Sequence, residues 1–499
     1  MSADEIGFRP DGMRLPMRDL TATATLTTWG VVVALAIAWF FFSYAYFEDD
    51  GFIHLEFARS VANGQGFAFL GHVTNGDTAP FWVLILAAFH VVTADWILAG
   101  KAACIAGLAF TLAGAWRLTS DLPRETAAHR WLPAAVILLT ATNPFVVHWM
   151  FSGMEAVTAL GLTLWAIWAV FVVEPTRPRL LFASILLAIG PLLRPELMLF
   201  DALVAPALLR GWNTHLRARP VKHRFATLSA VVLFLALPLA IWCAYALNAF
   251  GSVVPNTNMA KRGSGAIPEL AMRLASVYLS GFPITLLLLP IGLWQAFARR
   301  RTPLSVWLLL VWPLACVAFY LLNHTLVQTR YCVLSMPSLT IAVFWLLGDL
   351  ARPRAVIAAA GVSLAAAVAV NALAGIPQVA NKKLLRHTLS SISAYIRAQV
   401  PANAPVAVFA IGQVGFETQH PLIDTGGITQ PSVFPYLRDP AAVLQWAQSS
   451  GAQYIIGDDL PHPGATIVFR SELPYVGWSF QRSLYQTTGN YNVYKLHSR

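Results

Sequence analysis

The sequence predicts a polytopic α-helical membrane protein with a soluble α/β domain at its C-terminal end. Three observations predict it: the apolar content, the recurrence of long apolar runs, and a change of composition after about residue 375. Hydrophobic residues make up 57% of the 499 and charged residues only 12%, against roughly a quarter charged in ordinary globular chains. The mean hydropathy is +0.60. A soluble chain could not bury that much apolar surface, whereas a chain solvated by lipid need not. Runs of roughly 18 or more apolar residues recur, each long enough to cross a hydrocarbon core about 30 Å thick.

Taken in order, the runs lie at 27–47, 98–117, 131–149, 155–173, 178–193, 196–210, 226–250, 276–297, 303–322, 331–349 and 355–373, about eleven spans. Arg9, Arg14 and Arg18 precede the first. That run is too long for a signal peptide and lacks a small-residue cleavage site, so it reads as an uncleaved span with its N-terminus in the cytoplasm. The loops at 117–130, 210–225, 298–302 and 350–354 are basic. They all fall on the cytoplasmic side if 79–117 makes one net crossing. The short stretch Pro80–Val92 is then interfacial or re-entrant, and the odd number of crossings sends the chain after Gly375 out of the cytoplasm. The net charge of +10 therefore reads as positive-inside loops and not as a nucleic-acid surface.

Residues 1–375 form the membrane domain in this reading, and 376–499 the extracytoplasmic α/β domain. The latter is strand-like at Val406–Ile411, Tyr454–Ile456 and Val493–Leu496 and helical over Pro440–Ser449. Its aromatics Trp446, Tyr454, Trp478, Tyr485 and Tyr491 suit either sugar stacking or a core, with core the commoner fate. Cys104, Cys243, Cys316 and Cys332 fit neither a zinc site nor a disulfide framework and read as core residues.

The sharpest local feature is Glu48-Asp49-Asp50 after the first span. Adjacent carboxylates repel, so at least one should be raised in pKa unless cations lie near. Two readings stand: a solvated helix end, or a general base or cation site at the mouth of a lipid-embedded cavity. The same parity puts Asn75 within Thr74–Thr78, Glu155, Arg194 with Glu196, Asn256 with Lys261, and His324 with Arg330 on the outer side. Singly, each has a plain structural alternative: turns for Asn75, a snorkelling anchor for an Arg, a dipole-complementing carboxylate for Glu155. Together they place acids and bases at the membrane plane, where cations suit a phosphate and carboxylates suit activation of a hydroxyl.

At these residues the chain resembles the GT-C fold glycosyltransferases that use polyprenyl-phosphate sugars. Within them it is similar to the DDxxI group, which includes the mycobacterial terminal arabinofuranosyltransferases. The resemblance rests on Asp49-Asp50-Gly51-Phe52-Ile53, Ala58-Arg59, Thr78-Ala79-Pro80-Phe81-Trp82, Ser152-Gly153-Met154-Glu155 and Arg194-Pro195-Glu196. It continues through Gly251-Ser252, Pro255-Asn256-Thr257, Lys261 and Arg330-Tyr331 to Ile411-Gly412-Gln413-Val414-Gly415-Phe416 and Leu422-Ile423-Asp424. Gly51, Leu55 and Glu56 depart from the group's pattern, and Glu56 adds a carboxylate near the site.

The resemblance implies an inverting transfer of one sugar, arabinofuranose in the mycobacterial members named, from a polyprenyl-phosphate donor. The acceptor would be a cell-envelope glycan or glycolipid on the outer side of a bacterial inner membrane. It points to Asp49 as base with Asp50 second. Arg194, Lys261, Arg330 and His324 would meet the donor phosphate, and Glu155, Glu196, Asn75 and Asn256 the acceptor or sugar. No cofactor is certain; a divalent cation such as Ca²⁺ or Mg²⁺ at the acidic loop is compatible with the clustered acids. The competing readings are a lipid-linked glycan transporter or flippase and a non-catalytic glycolipid-binding assembly protein. The former would want mid-membrane polar residues, broken helices and internal symmetry.

Overall fold

The protein is described here from a computed structural model covering residues 17–124, 126–260, 267–299, 302–325, 327–350, 353–437, 439–457, 464–471, 475–476, 488–489 and 491–497. The chain opens with α1 (Met17–Ser43), α2 (Asp49–Ala62), a small hairpin of β1 (Ala68–Phe69) and β2 (His72–Val73), α3 (Pro80–Thr93) and α4 (Trp96–Asp121). There follow α5 (Leu132–Thr142), α6 (Pro144–Trp149), α7 (Ala156–Ile167), α8 (Arg177–Leu193), α9 (Leu197–His215) and α10 (Val221–Phe250). Next come α11 (Asn256–Ala260), α12 (Ile267–Gly281), α13 (Pro283–Ala298), α14 (Leu304–Leu322), α15 (Thr329–Val333), α16 (Met336–Leu350), α17 (Pro353–Val370) and α18 (Ile376–Gln399).

Every apolar run read from the sequence is helical, but fewer reach full length than the eleven expected. Among the described residues six helices are long and apolar enough to cross a membrane, or seven if the bent pair α12 and α13 is one span. Two of the expected spans are broken by proline. Asn143 precedes Pro144 between α5 and α6, and its side chain accepts from the amides of Phe145 and Val146 at 3.0 and 3.2 Å, starting a new helix. Pro283 follows Phe282, and α12 and α13 meet there at 101°; a proline has no N–H to continue a helix and crowds the preceding turn. The α3 segment is a helix of 14 residues, about 21 Å long, too short for a full crossing and in keeping with an interfacial or re-entrant element. Leu233 and Ile241 on α10, Leu287 and Phe297 on α13, and Leu314 on α14 are exposed, a surface that lipid solvates and water would not.

Beyond α17 the helix continues through a π-turn, Asn371–Gly375, directly into α18, giving one apolar-to-polar helix over Arg354–Gln399. The expected boundary at 375 thus falls inside a continuous helix. The C-terminal part contains β3 (Val406–Val408), α19 (Ile411–Thr418), β4 (Leu422–Asp424), α20 (Pro440–Ser449), β5 (Tyr454–Gly457) and β6 (Ala465–Arg470). It ends with β7 (Tyr475–Val476), β8 (Thr488–Gly489) and β9 (Asn492–Leu496). Five strands form one sheet in the order β4-β3-β5-β9-β6. β3 runs parallel to β4 and β5, and β9 antiparallel to β5 and β6. The expected strand over Val406–Ile411 ends at Val408, because Ile411 already begins α19. Tyr454 is buried, and Trp446 and Tyr491 pack against core residues, so these three aromatics serve the core; Trp478 and Tyr485 lie outside the described residues. Cys104, Cys316 and Cys332 are buried and Cys243 half-buried, all as free thiols.

Candidate active site

The acidic segment is built on a buried lysine. Lys101 of α4 is fully buried, and its Nζ donates to the carbonyls of Ser43, Tyr46 and Phe151 at 3.3, 2.5 and 2.7 Å. It ties the end of α1 to the turn before α7, and the Glu48 amide donates to the Ser152 carbonyl at 3.0 Å beside it. Gly153 in that turn has φ +89°, and a Cβ there would run into the Phe47 ring, so only glycine serves.

From this base the three carboxylates diverge. Glu48 accepts from Lys382 Nζ at 2.6 Å and from the Tyr46 hydroxyl at 2.8 Å. Burial alone would raise its pKa, but Lys382 outweighs that and holds the group below the ordinary range. Asp49 accepts from the backbone amides of Gly412 and Gln413 at 3.2 and 2.9 Å, at the N-terminus of α19. Burial outweighs these donors and raises Asp49 to about 7. Asp50 accepts from Arg330 Nη2 at 2.7 Å. Asp49, the first choice for a base from sequence, therefore turns to the C-terminal part, and Asp50 is the acid that faces the cleft.

That cleft is partly open to solvent and leaves about 820 Å³ free of protein atoms, open solvent included. Asp50, His54, Asp77, Glu155, Arg194, Glu196 and Arg330 line it, with Tyr320, Tyr331 and Ile428. His54 Nδ1 meets Asp77 Oδ2 at 2.6 Å, and His54 Nε2 lies 3.4 Å from Glu155 Oε2. Glu155 Oε1 accepts from Arg194 at 2.7 Å, and Arg194 forms a two-point bond with Glu196 at 2.9 and 3.2 Å. The Tyr320 hydroxyl reaches Glu196 at 3.3 Å. Arg194 and Arg330 both lie over the Tyr331 ring, at 5.1 and 5.4 Å. Burial alone would lower His54, but Asp77 and Glu155 raise it to about 10, so its imidazole carries charge at neutral pH. Burial alone would raise Glu155, yet nearby His54 and the Arg194 charge hold it well below the ordinary range.

Of the residues singled out in the sequence, Asp50, Glu155, Arg194, Glu196 and Arg330 share this cleft. Asn75 and Asn256 do not line it. The Asn75 amide donates to the Ser252 carbonyl at 2.9 Å, and Asn256 Nδ2 donates to Ile428 O at 3.1 Å and Thr74 Oγ1 at 3.3 Å. They lace loops together. His324 sits in the turn after α14 with φ 51°, between the lining residues Asn323 and Thr325. Lys261 lies outside the described residues. Glu56 pairs with Arg59 and accepts from Gln419 at 3.1 Å, away from the cleft. Among the described residues no three His, Cys, Asp or Glu side chains gather as a metal site. The acids of the 48–50 segment turn to separate partners.

His54 was not among the residues the sequence pointed to, and Asp77 figured there only as part of the turn segment Thr74–Thr78. Asp50 and His54 stand four apart, on one face of α2, and that spacing was the available signal. The C-terminal part also reaches the cleft: Asp424 accepts from the amides of Gly426, Gly427 and Thr429 at 2.8, 3.1 and 2.6 Å, which shapes the loop that carries Ile428 into the lining.

This arrangement of broken and continuous apolar helices, with a sheet domain against the cleft, occurs in solved proteins. The chain is similar to ArnT from Cupriavidus metallidurans, solved bound to undecaprenyl phosphate. The two are 13% identical, the match covers 94% of this chain and 97% of that one, and the TM-score is 0.58. The apo form of ArnT matches with a TM-score of 0.59 at 13% identity, over 94% and 98% of the two chains. The chain has the GT-C fold. The arabinofuranosyltransferase AftD from Mycobacteria matches at 14% identity with a TM-score of 0.52, over 94% of this chain and 40% of that one. Residues 378–494 match a family described as Domain of unknown function (DUF8728). No curated protein sequence matches the chain.

Proposed function

We propose that the protein is a membrane glycosyltransferase that moves one sugar from a polyprenyl-phosphate donor to a hydroxyl of a cell-envelope glycan or glycolipid. The reaction takes place at the outer face of a bacterial inner membrane. The observation that carries this reading is the pairing of half-buried Asp50 with buried Arg330 at 2.7 Å in a charged cleft among apolar helices. A carboxylate that can take a proton stands beside a cation that can hold a phosphate.

In this reaction Asp50 takes the proton of the acceptor hydroxyl, and the oxygen attacks the anomeric carbon from the face opposite the phosphate. The bond from that carbon to the phosphate oxygen breaks, configuration inverts, and lipid phosphate leaves with the electron pair, held by Arg330. Arg194 orders Glu155 and Glu196. Glu155 Oε2 and His54 Nε2 lack a well-formed hydrogen bond although both are buried, and sugar hydroxyls would satisfy them. The undecaprenyl phosphate bound to ArnT and the arabinofuranosyl transfer named for AftD support a lipid-linked donor and a pentose as first substrate to offer.

The test is release of polyprenyl phosphate by the purified protein from polyprenyl-phosphate pentoses and hexoses. Asp50→Asn is expected to lose about 10²–10⁴-fold in rate, the range for removing a general base. Asp49→Asn, away from the cleft, is expected to stay within about tenfold of wild type. Full activity in Asp50→Asn would end the base assignment. No turnover with any lipid-linked donor would favour a transporter or a glycolipid-binding assembly protein.

A further inference from the structure

Arg330 is 3% exposed and lines the cleft, yet its donors are under-used. Nη2 donates to Asp50; Nη1 has a soft contact with Met154 Sδ at 3.9 Å; Nε has no hydrogen-bond partner. A guanidinium has five N–H donors in a planar fork that suits two-point binding of an oxyanion. Buried donors left unmatched are costly. Arg194 contrasts with it, using both edges of its fork on Glu155 and Glu196. Of the two arginines, Arg330 is the one with capacity left for a ligand, and its main occupant is the proposed base itself.

From this we infer that Asp50 occupies the phosphate position of Arg330 in the empty protein, and that the donor phosphate arms the base by taking Arg330 away from it. This inference rests on the proposed transferase reaction. While paired with Arg330, the Asp50 carboxylate is a poor proton acceptor, because a cation beside it favours the ionised form. A phosphate diester entering the cleft takes Arg330 at two points and releases Asp50 toward the acceptor. The charges then stay matched through transfer. As the bond to the anomeric carbon breaks, the diester monoanion becomes a more highly charged phosphate monoester against Arg330. Asp50 meanwhile becomes neutral on receiving the hydroxyl proton. Donor would bind before acceptor, and a stray water would not be activated in the empty cleft.

The experiment is equilibrium binding of farnesyl phosphate to the full-length protein in detergent micelles, followed by calorimetry, with no turnover involved. Asp50→Asn is expected to bind about tenfold more tightly than wild type, since the competing carboxylate is gone. Asp49→Asn removes a neighbouring acid whose partners are backbone amides, and so reports the general loss of negative charge; its gain is expected to stay within about threefold. Arg330→Gln is expected to weaken binding by about tenfold, with Arg330→Lys as the substitute should the glutamine variant fail to fold. Equal gains in Asp50→Asn and Asp49→Asn, weaker binding in Asp50→Asn, or no binding by either wild type or Asp50→Asn would overturn the exchange. Because turnover is not read, tightening without transferase activity would reject the enzyme reading alone. Turnover without tightening would reject the exchange alone.

Discussion

Glu48, Asp49 and Asp50 are three adjacent acids that coexist because each has its own partner: an ammonium, a helix N-terminus and a guanidinium. The same rule organises the floor of the cleft, where His54 is held charged by Asp77 and Glu155. Its pKa of about 10 lies above the ordinary 6.5. A raised histidine contributes stability that is fully present below 6.5 and is lost as pH rises through 10. Thermal unfolding of the purified protein should therefore show stability falling between those limits, and His54→Asn should flatten that slope while lowering stability at neutral pH. An unchanged slope in the variant would show that His54 is not the titrating group. The residue types of the site were legible in the sequence, and five of the residues named there meet in the cleft. Which acid faces the cleft was not legible: adjacent positions on a helix point about 100° apart, and only the packing of α2 decides between Asp49 and Asp50.

Helix α2 is short and almost wholly buried, and it serves two neighbours at once. Asp50, Ile53 and His54 face the cleft. Asp49, Phe52, Glu56 and Arg59 face α19 and the residues beside it, at the three-and-four spacing of a helix stripe. Asp49 takes the Gly412 and Gln413 amides. The Phe52 ring lies 5.6 Å from that of Phe416, and Arg59 donates to the Phe416 carbonyl at 3.1 Å. The approach is close enough that a Cβ on residue 412 would collide with the Asp49 backbone. Gly412→Ala is expected to push α19 off α2, raising hydrogen exchange in a peptide over 409–418 and lowering turnover by about tenfold through loosened placement of Asp50. Unchanged exchange there would show that the contact tolerates a methyl group. At this scale the helices were legible from hydropathy, but their breaks were masked. Asn143-Pro144 and Phe282-Pro283 are visible stop signals inside apolar runs, and summed hydropathy passed over them. Strands β4 and β6 escaped because β4 is three residues long and β6 is half exposed, so neither carries a clear apolar pattern.

Across the whole molecule, the cleft gathers residues 50, 54, 77, 155, 194, 196 and 330, which stand on four separate connections between apolar helices. Their convergence requires those connections to share one side of the bundle, as the alternation of basic loops requires. The C-terminal part is on that side too, because Ile428 lines the cleft and Thr74 donates to the Thr429 carbonyl at 3.2 Å. The helix over Arg354–Gln399 explains how it gets there. It has 46 residues, about 69 Å at the usual rise, more than twice a hydrocarbon core. Its second half can therefore stand clear of the lipid with Lys382, Lys383 and Arg386 gripping Glu48 and the last carbonyls of the α1 region, Phe42 and Ala45. The outward orientation proposed for this shared face is tested by reporters fused after Arg499. Alkaline phosphatase is expected to be active there and green fluorescent protein dark, since the first matures only outside the cytoplasm by Sec export and the second only within. The reverse pattern would put Asp50 and Arg330 in the cytoplasm, where nucleotide sugars are at hand. A lipid-linked donor would then lose its topological support, even if the cleft itself bound phosphate.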